Sequence, residues 1–372
     1  MKPKQRWVFV DDQSSEAQSF ADSLSEGTSL DVKVLSPYDA EKLLLTGKEV
    51  PAGVLLDVDL SNADGVYGTG PGIAQDLRVK QRAGQVGEYP IVRFAGRGPI
   101  QKNIEGDPAS DDLFDLKIPK ESIATGGTSH IVKRLEGVSL IYQEIERVET
   151  PTPEAFLSLV DLTQEQWDLV GHPAFADRLL GAMQVATHVA AGTFVRSFLL
   201  PPGLLIDEKL LAVRLGVDAP ASGANWTALR DSLGFSYNGI GNEAFVRWWA
   251  KGLDDWWFTI IGAEDPLSTL DSAARVGLLC ERTKFKELTP LQLPHGSAGT
   301  KPWRHCSLSA EESPPRVVPI DPVESVRFAN QVDLPPWRDP AYASLGAAAQ
   351  WKADFRVNRA DLDRLLRKHK AT

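Results

Sequence analysis

Over about the first 145 residues, short runs of apolar residues alternate with stretches of helical period, and few folds accept that alternation. The runs are 7–10 (WVFV), 31–35 (DVKVL), 53–56 (GVLL), 90–94 (PIVRF) and 113–116 (LFDL), rich in Val, Leu, Ile and Phe as strands buried on both faces are. Between them, SSEAQSFADSLSEG sets Phe20 and Leu24 four apart behind the candidate caps Ser14 and Ser15. PGIAQDLRVKQRAG opens on Pro71 and puts Ile73 and Leu77 on one face. A third pattern spaces Ile131, Leu135, Val138, Ile141 and Ile145 at threes and fours. The expected fold class is α/β, a doubly wound five-stranded parallel sheet whose ligand crevice opens at the carboxyl ends of its strands.

The segment 149–154 (ETPTPE) carries two prolines and no apolar period, so the expected domains are 1–149 and 155–372. Nine of the ten Trp follow it, which implies a second core built on large aromatics. Residues 173–200, 204–215, 224–233 and 242–260 read as helices. The ten prolines of 290–340 predict an irregular stretch with short strands such as RVVPI. This second domain is expected to be mainly α-helical and Trp-rich.

Composition narrows the partners. With 40 Lys and Arg against 50 Asp and Glu, the formal charge of −10 disfavours a chain-wide basic surface for nucleic acid or acidic lipid. Two cysteines, Cys280 and Cys306, are too few for a disulfide framework. The opening MKPKQRWVFVDDQ meets acidic residues after a four-residue apolar run, unlike a signal peptide, and the expected location is cytoplasmic. The uncharged stretch 179–195 contains Gln184, Thr187 and His188 and is expected to be a core helix rather than a membrane span.

Asp11 and Asp12 directly follow the first strand and Asp57 follows the third, so all three converge on the crevice. Carboxylates so placed repel one another unless a hard cation joins them, and Mg²⁺, with its oxygen preference, suits the set. Lys117, at the expected end of the fifth strand, reaches the same place. A carboxylate nucleophile, a metal cage and a lysine are the parts needed to accept a phosphoryl group.

The pieces VFVDDQ, GVLLDVDL, PIVRFAGR and LFDLKIPK, in that order, resemble the receiver domain of two-component response regulators over about residues 5–148. The resemblance implies a phosphoacceptor at Asp57, an acidic metal pair in Asp11 and Asp12, a metal-bound main-chain carbonyl at Asp59, and a phosphate contact from Lys117. It places the aromatic switch at Phe114 and the switch hydroxyl at position 95, where this chain has Ala95. It also implies phosphorelay signalling, with a histidine kinase or phosphotransfer protein as donor and a further protein partner engaged by the C-terminal domain. The glycines of SNADGVYGTGPG are read as a turn, because no P-loop lysine follows them.

Other readings stand beside this one. A degenerate receiver fused to an uncharacterised effector enzyme would keep the acids without being phosphorylated. A DNA-binding transcriptional regulator would use the basic C-terminal helix NRADLDRLLRKHK, in a segment 351–372 with seven Lys and Arg against three Asp, yet a paired helix-turn-helix is not evident. Homo-oligomerisation is a third partner mode. Cys280, His295, His305 and Cys306 lack zinc-site spacing, and neither they nor a Cys–His nucleophilic pair is favoured. The tryptophans of 242–260 are expected in the second core, with a partner-binding stripe as the alternative.

Overall fold

A computed structural model describes residues 3–60, 69–96, 112–124, 126–294, 299–310, 316–329, 331, 333–354 and 356–371. Its chain divides into two compact units. The first comprises Met1–Gln164, Pro173–Leu200 and Asn238–Phe245; the second comprises Glu165–His172, Pro201–Tyr237 and Val246–Thr372. The first unit thus runs on past 149–154 to Gln164 and takes in two later stretches of chain.

In the first unit, strands β1 (Gln5–Val10), β2 (Leu30–Leu35), β3 (Gly53–Leu56), β4 (Ile91–Ala95) and β5 (Leu116–Pro119) form one parallel sheet in the order β2-β1-β3-β4-β5. That order is one of the two common doubly wound topologies. Helices α1 (Ser14–Ser25), α2 (Pro37–Leu44), α3 (Gly70–Arg82) and α4 (Thr128–Glu146) cover it. Every residue of β3 and the last four of β1 are buried, as both-face coverage of central parallel strands requires. Edge strand β2 alternates instead, with Asp31 and Lys33 outward, charges that discourage pairing with another chain. Gly53 pairs with Trp7, whose ring lies 2.3 Å from where a Cβ would stand, so only glycine lets this indole fill the core.

The fifth strand starts three residues later than the apolar run LFDL suggests. Asp115 holds its start: its main-chain N–H donates to the Ile91 carbonyl, and its carboxylate accepts from the Ile91 N–H, from Arg78 at 2.7 Å and from the Tyr142 hydroxyl at 2.9 Å. Arg78, on α3, is itself buried and also donates to Gln81 and to the Leu113 and Tyr89 carbonyls. Such a pair is costly to break, because the surviving charge stays out of water.

Three more helical segments belong to this unit. Pro153–Val160, capped by Thr152, and Pro173–Met183 bring Phe156 and Phe175 edge to face at 6.1 Å, and Phe175 stacks on Phe198 at 4.6 Å. Helix Thr187–Phe194 runs into a π-helical turn, Val195–Leu199. Glu88 caps its start, accepting from the Thr187 and His188 N–H groups, with His188 Nδ1 2.6 Å from the same carboxylate. Further along, Arg196 donates to the Phe114 carbonyl and lies 3.6 Å from Asp115. The uncharged stretch 179–195 is thus two helices broken after Met183, and no helix among the described residues is long and apolar enough to cross a membrane.

The second unit is mainly helical around Trp226, Trp248 and Trp257. Helices Glu208–Leu215, Ala219–Asp231 and Ser272–Arg282 are each N-capped by an aspartate: Asp207, Asp218 and Asp271. The helix expected over 242–260 is shorter. Trp248–Trp249 pairs antiparallel with Leu205–Ile206, and helix begins only at Ala250. Trp248, Trp249 and Trp257 are buried in the second core, and Trp256 packs partly buried against it. Cys306 is buried, its Sγ accepting from the Ser309 and Ser344 N–H groups. The terminal helix Arg359–Ala371 starts at Asn358, whose side chain accepts from the Asp361 N–H, and it buries Leu362 and Leu365.

Two outcomes follow from the anchors of the first unit. Asp115→Ala should lower stability by about 3–5 kcal/mol in urea unfolding, because Arg78 is left buried and unpaired. Burial works against ionisation of Glu88, but its hydrogen bonds from His188 and Thr187 outweigh it and hold the carboxyl below its ordinary 4.5. A lowered folded value stabilises above the unfolded one and is lost on acidification through it. The stability gap between wild type and Glu88→Gln should therefore be full near neutral pH and close as the pH falls below 4.5, measured by urea unfolding across pH.

Candidate functional site

At the carboxyl edge of the sheet, β1 ends into Asp11 and β3 into Asp57, as their strand positions dictate. Both are buried, and between them lies the ammonium of Lys120, also buried, 2.7 Å from Asp11 Oδ2 and 2.6 Å from Asp57 Oδ2. The other carboxylate oxygens are held by main chain: Asp11 Oδ1 accepts from the Gln13 N–H and Asp57 Oδ1 from the Val58 N–H. The rings of Phe9 and Phe20 flank the ammonium at 5.6 and 5.8 Å. Gly70 starts α3 against Asp57, where a Cβ would stand 1.9 Å from the Asp57 carbonyl oxygen; no other residue allows that approach.

The lysine of the crevice is Lys120, not the expected Lys117. Because β5 runs over Leu116–Pro119, Lys117 sits within the strand opposite Arg93 with its side chain outward, and the strand ends one residue before Lys120. Ala95 is buried at the end of β4, and its carbonyl accepts from the Lys120 N–H at 3.2 Å, which seats the lysine. Phe114 is not near the crevice. It precedes β5, at the end of that strand opposite to Lys120, and belongs to the buried core that includes Val8, Val10 and Ile91.

Asp12 is half-buried beside Asp11, and Asp59 bridges to Thr69 by main chain. Residues 61–68, most of the long loop after Asp57, and the stretch from Arg97 to Ser110 lie outside the described residues, as does His295. Among the described residues no three His, Cys, Asp or Glu side chains are gathered as a metal-holding group. The arrangement shown is a carboxylate–ammonium–carboxylate bridge.

Electrostatics follow from that bridge. Burial pushes the Asp57 carboxyl above its ordinary range; the Lys120 hydrogen bond and charge oppose this without cancelling it, and the Asp11 charge adds to it. For Lys120, burial disfavours the charged form, but hydrogen bonds to Asp11 and Asp57 outweigh it and hold the ammonium above its ordinary value. One cation faces two contacting carboxylates, so negative charge is in excess before Asp12 is counted.

Sequence reasoning missed Lys120, Phe9 and Phe20. LKIPK holds two lysines, and the one that ends a strand is decided by where the strand starts.

No protein-family model matches this chain, and no curated protein matches its sequence. Solved structures similar to it include an adenylate cyclase from Rhodopirellula baltica, at 13% identity over 39% of this chain and 98% of the other with a TM-score of 0.28. Another is the phosphorylated cyanobacterial phytochrome response regulator RcpA, at 16% identity over 37% and 94% with a TM-score of 0.26. The Mn²⁺-bound form of the response regulator Rcp1 stands at 15% identity over the same shares, also with a TM-score of 0.26.

Substituting the two lysines separates their roles. Lys120→Met should cost about 3–5 kcal/mol in urea unfolding, since it leaves two buried carboxylates facing each other. Lys117→Met, on an outward-facing strand position, should cost no more than about 1 kcal/mol, as exposed charge contacts do.

Proposed function

We propose that the first unit is a receiver-type phosphoacceptor in a phosphorelay, with Asp57 as the nucleophile. The observation that carries this is the Asp57 carboxylate at the end of β3, 2.6 Å from a buried ammonium that also binds Asp11. An Asp57 oxygen attacks the phosphorus of a phosphohistidine or a small acyl phosphate; the phosphorus–nitrogen or phosphorus–oxygen bond of the donor breaks, and its imidazole or carboxylate leaves. Lys120 neutralises charge on the transferred oxygens, the part first expected of Lys117. The raised Asp57 value marks a carboxylate of more than ordinary basicity, which favours attack once it is ionised.

The donor set is compatible with a hard cation. Asp11, Asp12 and Asp57 supply oxygens only, each hydrogen-bonded carboxylate oxygen keeps a second lone pair, and negative charge is in excess. Asp11, Asp12, Asp57 and the Asp59 carbonyl would hold Mg²⁺, which supplies charge neutralisation at the phosphoryl oxygens. A histidine kinase or phosphotransfer protein is the donor in this reading, and the second unit passes the signal on through protein contacts. The degenerate reading draws on Ala95, which has no hydroxyl to follow a phosphoryl oxygen, and on the lack of a gathered three-carboxylate group among the described residues.

Acetyl phosphate with Mg²⁺ should add one phosphoryl mass to the intact chain, and Asp57→Ala should abolish it. Chelating Mg²⁺ should do the same. An unmodified spectrum, under conditions that modify a control receiver, would establish the degenerate reading.

A further inference from the structure

The second unit gathers arginines whose donors its own acids do not all engage. Arg214 and Arg275 are buried, and their guanidinium carbons lie 4.9 and 5.6 Å from the centre of the Trp303 ring. Arg214 and Arg304 both bind the same oxygen of Asp339. Arg275 Nη1 donates to the carbonyls of Val213, Arg214 and Pro302, which locks its fork in place.

Nearby carboxylates are already engaged. Asp271 caps the Ala274 N–H, and Asp321 accepts from the Val323 and Lys301 N–H groups. They act on Arg275, and Asp254 on Arg214, only through the field. Burial accordingly pushes Arg275 down to about 10 and Arg214 below its ordinary range. Among the described residues Asp339 is the carboxylate that touches these guanidinium groups, and the others add only their charge.

Buried donors remain over. Among the described residues, Arg275 Nε and Nη2, Arg214 Nε and Arg304 Nε have no hydrogen-bond partner. A buried charged donor without a partner is among the costlier defects a fold can carry, so a partner is expected. Nε and Nη2 of Arg275 form the edge of the guanidinium that pairs side-on with two oxygens of one anion.

We propose that Arg214, Arg275 and Arg304, beside Trp303, form a binding site for a small dianion of the phosphoryl class. A carboxylate offers two oxygens in one plane, whereas a tetrahedral dianion presents oxygens in several directions and offers acceptors to donors on three separate guanidinium groups. Arg304 and Asp339 keep 14% and 21% of their side-chain surface, which gives the cluster an edge on solvent. The site is independent of Asp57 and of any metal in the first unit.

The test uses full-length Asp57→Ala protein with chelator present, so that phosphate cannot report on the first unit. Inorganic phosphate should raise the unfolding midpoint above that in chloride at equal ionic strength, and acetate should not. Arg275→Gln should weaken phosphate binding at least tenfold. Equal midpoints in phosphate and chloride overturn the proposal, as does an Arg275→Gln chain that binds phosphate like its parent; an equal response to acetate overturns the phosphoryl class. If that variant does not fold, the Nε–H resonances of Arg275 and Arg214 in the parent chain decide the matter: they should move on phosphate addition, and unmoved signals at saturating phosphate sink the site.

Discussion

The Arg78–Asp115 pair is the interaction on which the geometry of the first unit depends. One carboxylate takes the guanidinium, the Tyr142 hydroxyl and the Ile91 N–H, and so fixes where β5 begins against β4. Side chains in a strand change face at every residue, so a start displaced by a single position would carry a different residue to the crevice. With the strand beginning at Leu116, it ends at Pro119 and delivers Lys120 between Asp11 and Asp57. A charge pair near the amino end of the sheet therefore decides which cation serves the carboxyl end.

The same anchor reaches the added helices. Arg196, in the turn after helix Thr187–Phe194, lies against Asp115 and the Phe114 carbonyl, while Glu88 and His188 hold the start of that helix. Both attachments are made from inside the first unit, so the five-stranded sheet and this helical layer belong to one compact unit. The stacked Phe175 and Phe198 supply the apolar part of that layer.

The two units place charge in opposite ways. In the first, two carboxylates share one ammonium; in the second, two guanidinium groups share one carboxylate beside a third guanidinium that no carboxylate touches among the described residues. The cations of each cluster lie against aromatic rings: Phe9 and Phe20 at the ammonium, Trp303 at two of the guanidinium groups. Low-dielectric surroundings make such imbalances expensive, and sites that recruit an ion are where folds tolerate them.

The α/β alternation, the five strands and the acids at the ends of β1 and β3 were legible in the sequence, because buried parallel strands are near-continuous apolar runs and strand ends are marked by the first charged residues. The same local signals failed where two answers were locally equivalent. LFDL and LKIP both read as strand, and only the partners of Asp115 choose between them; hence Lys117 was expected where Lys120 is found, and Phe114, expected as the switch aromatic, lies before the strand in the core. The proline-rich segment 149–154 looked like a boundary, but the helices after it pack back through contacts some hundred residues apart, such as Glu88 with His188. Trp248 and Trp249 fit a helical spacing, yet a short pairing with Leu205 and Ile206 draws them into a strand. Periodicity fixes which residues seek a core; tertiary partners far along the chain decide register, domain edge and which charge meets which, because those interactions are not encoded in any local window.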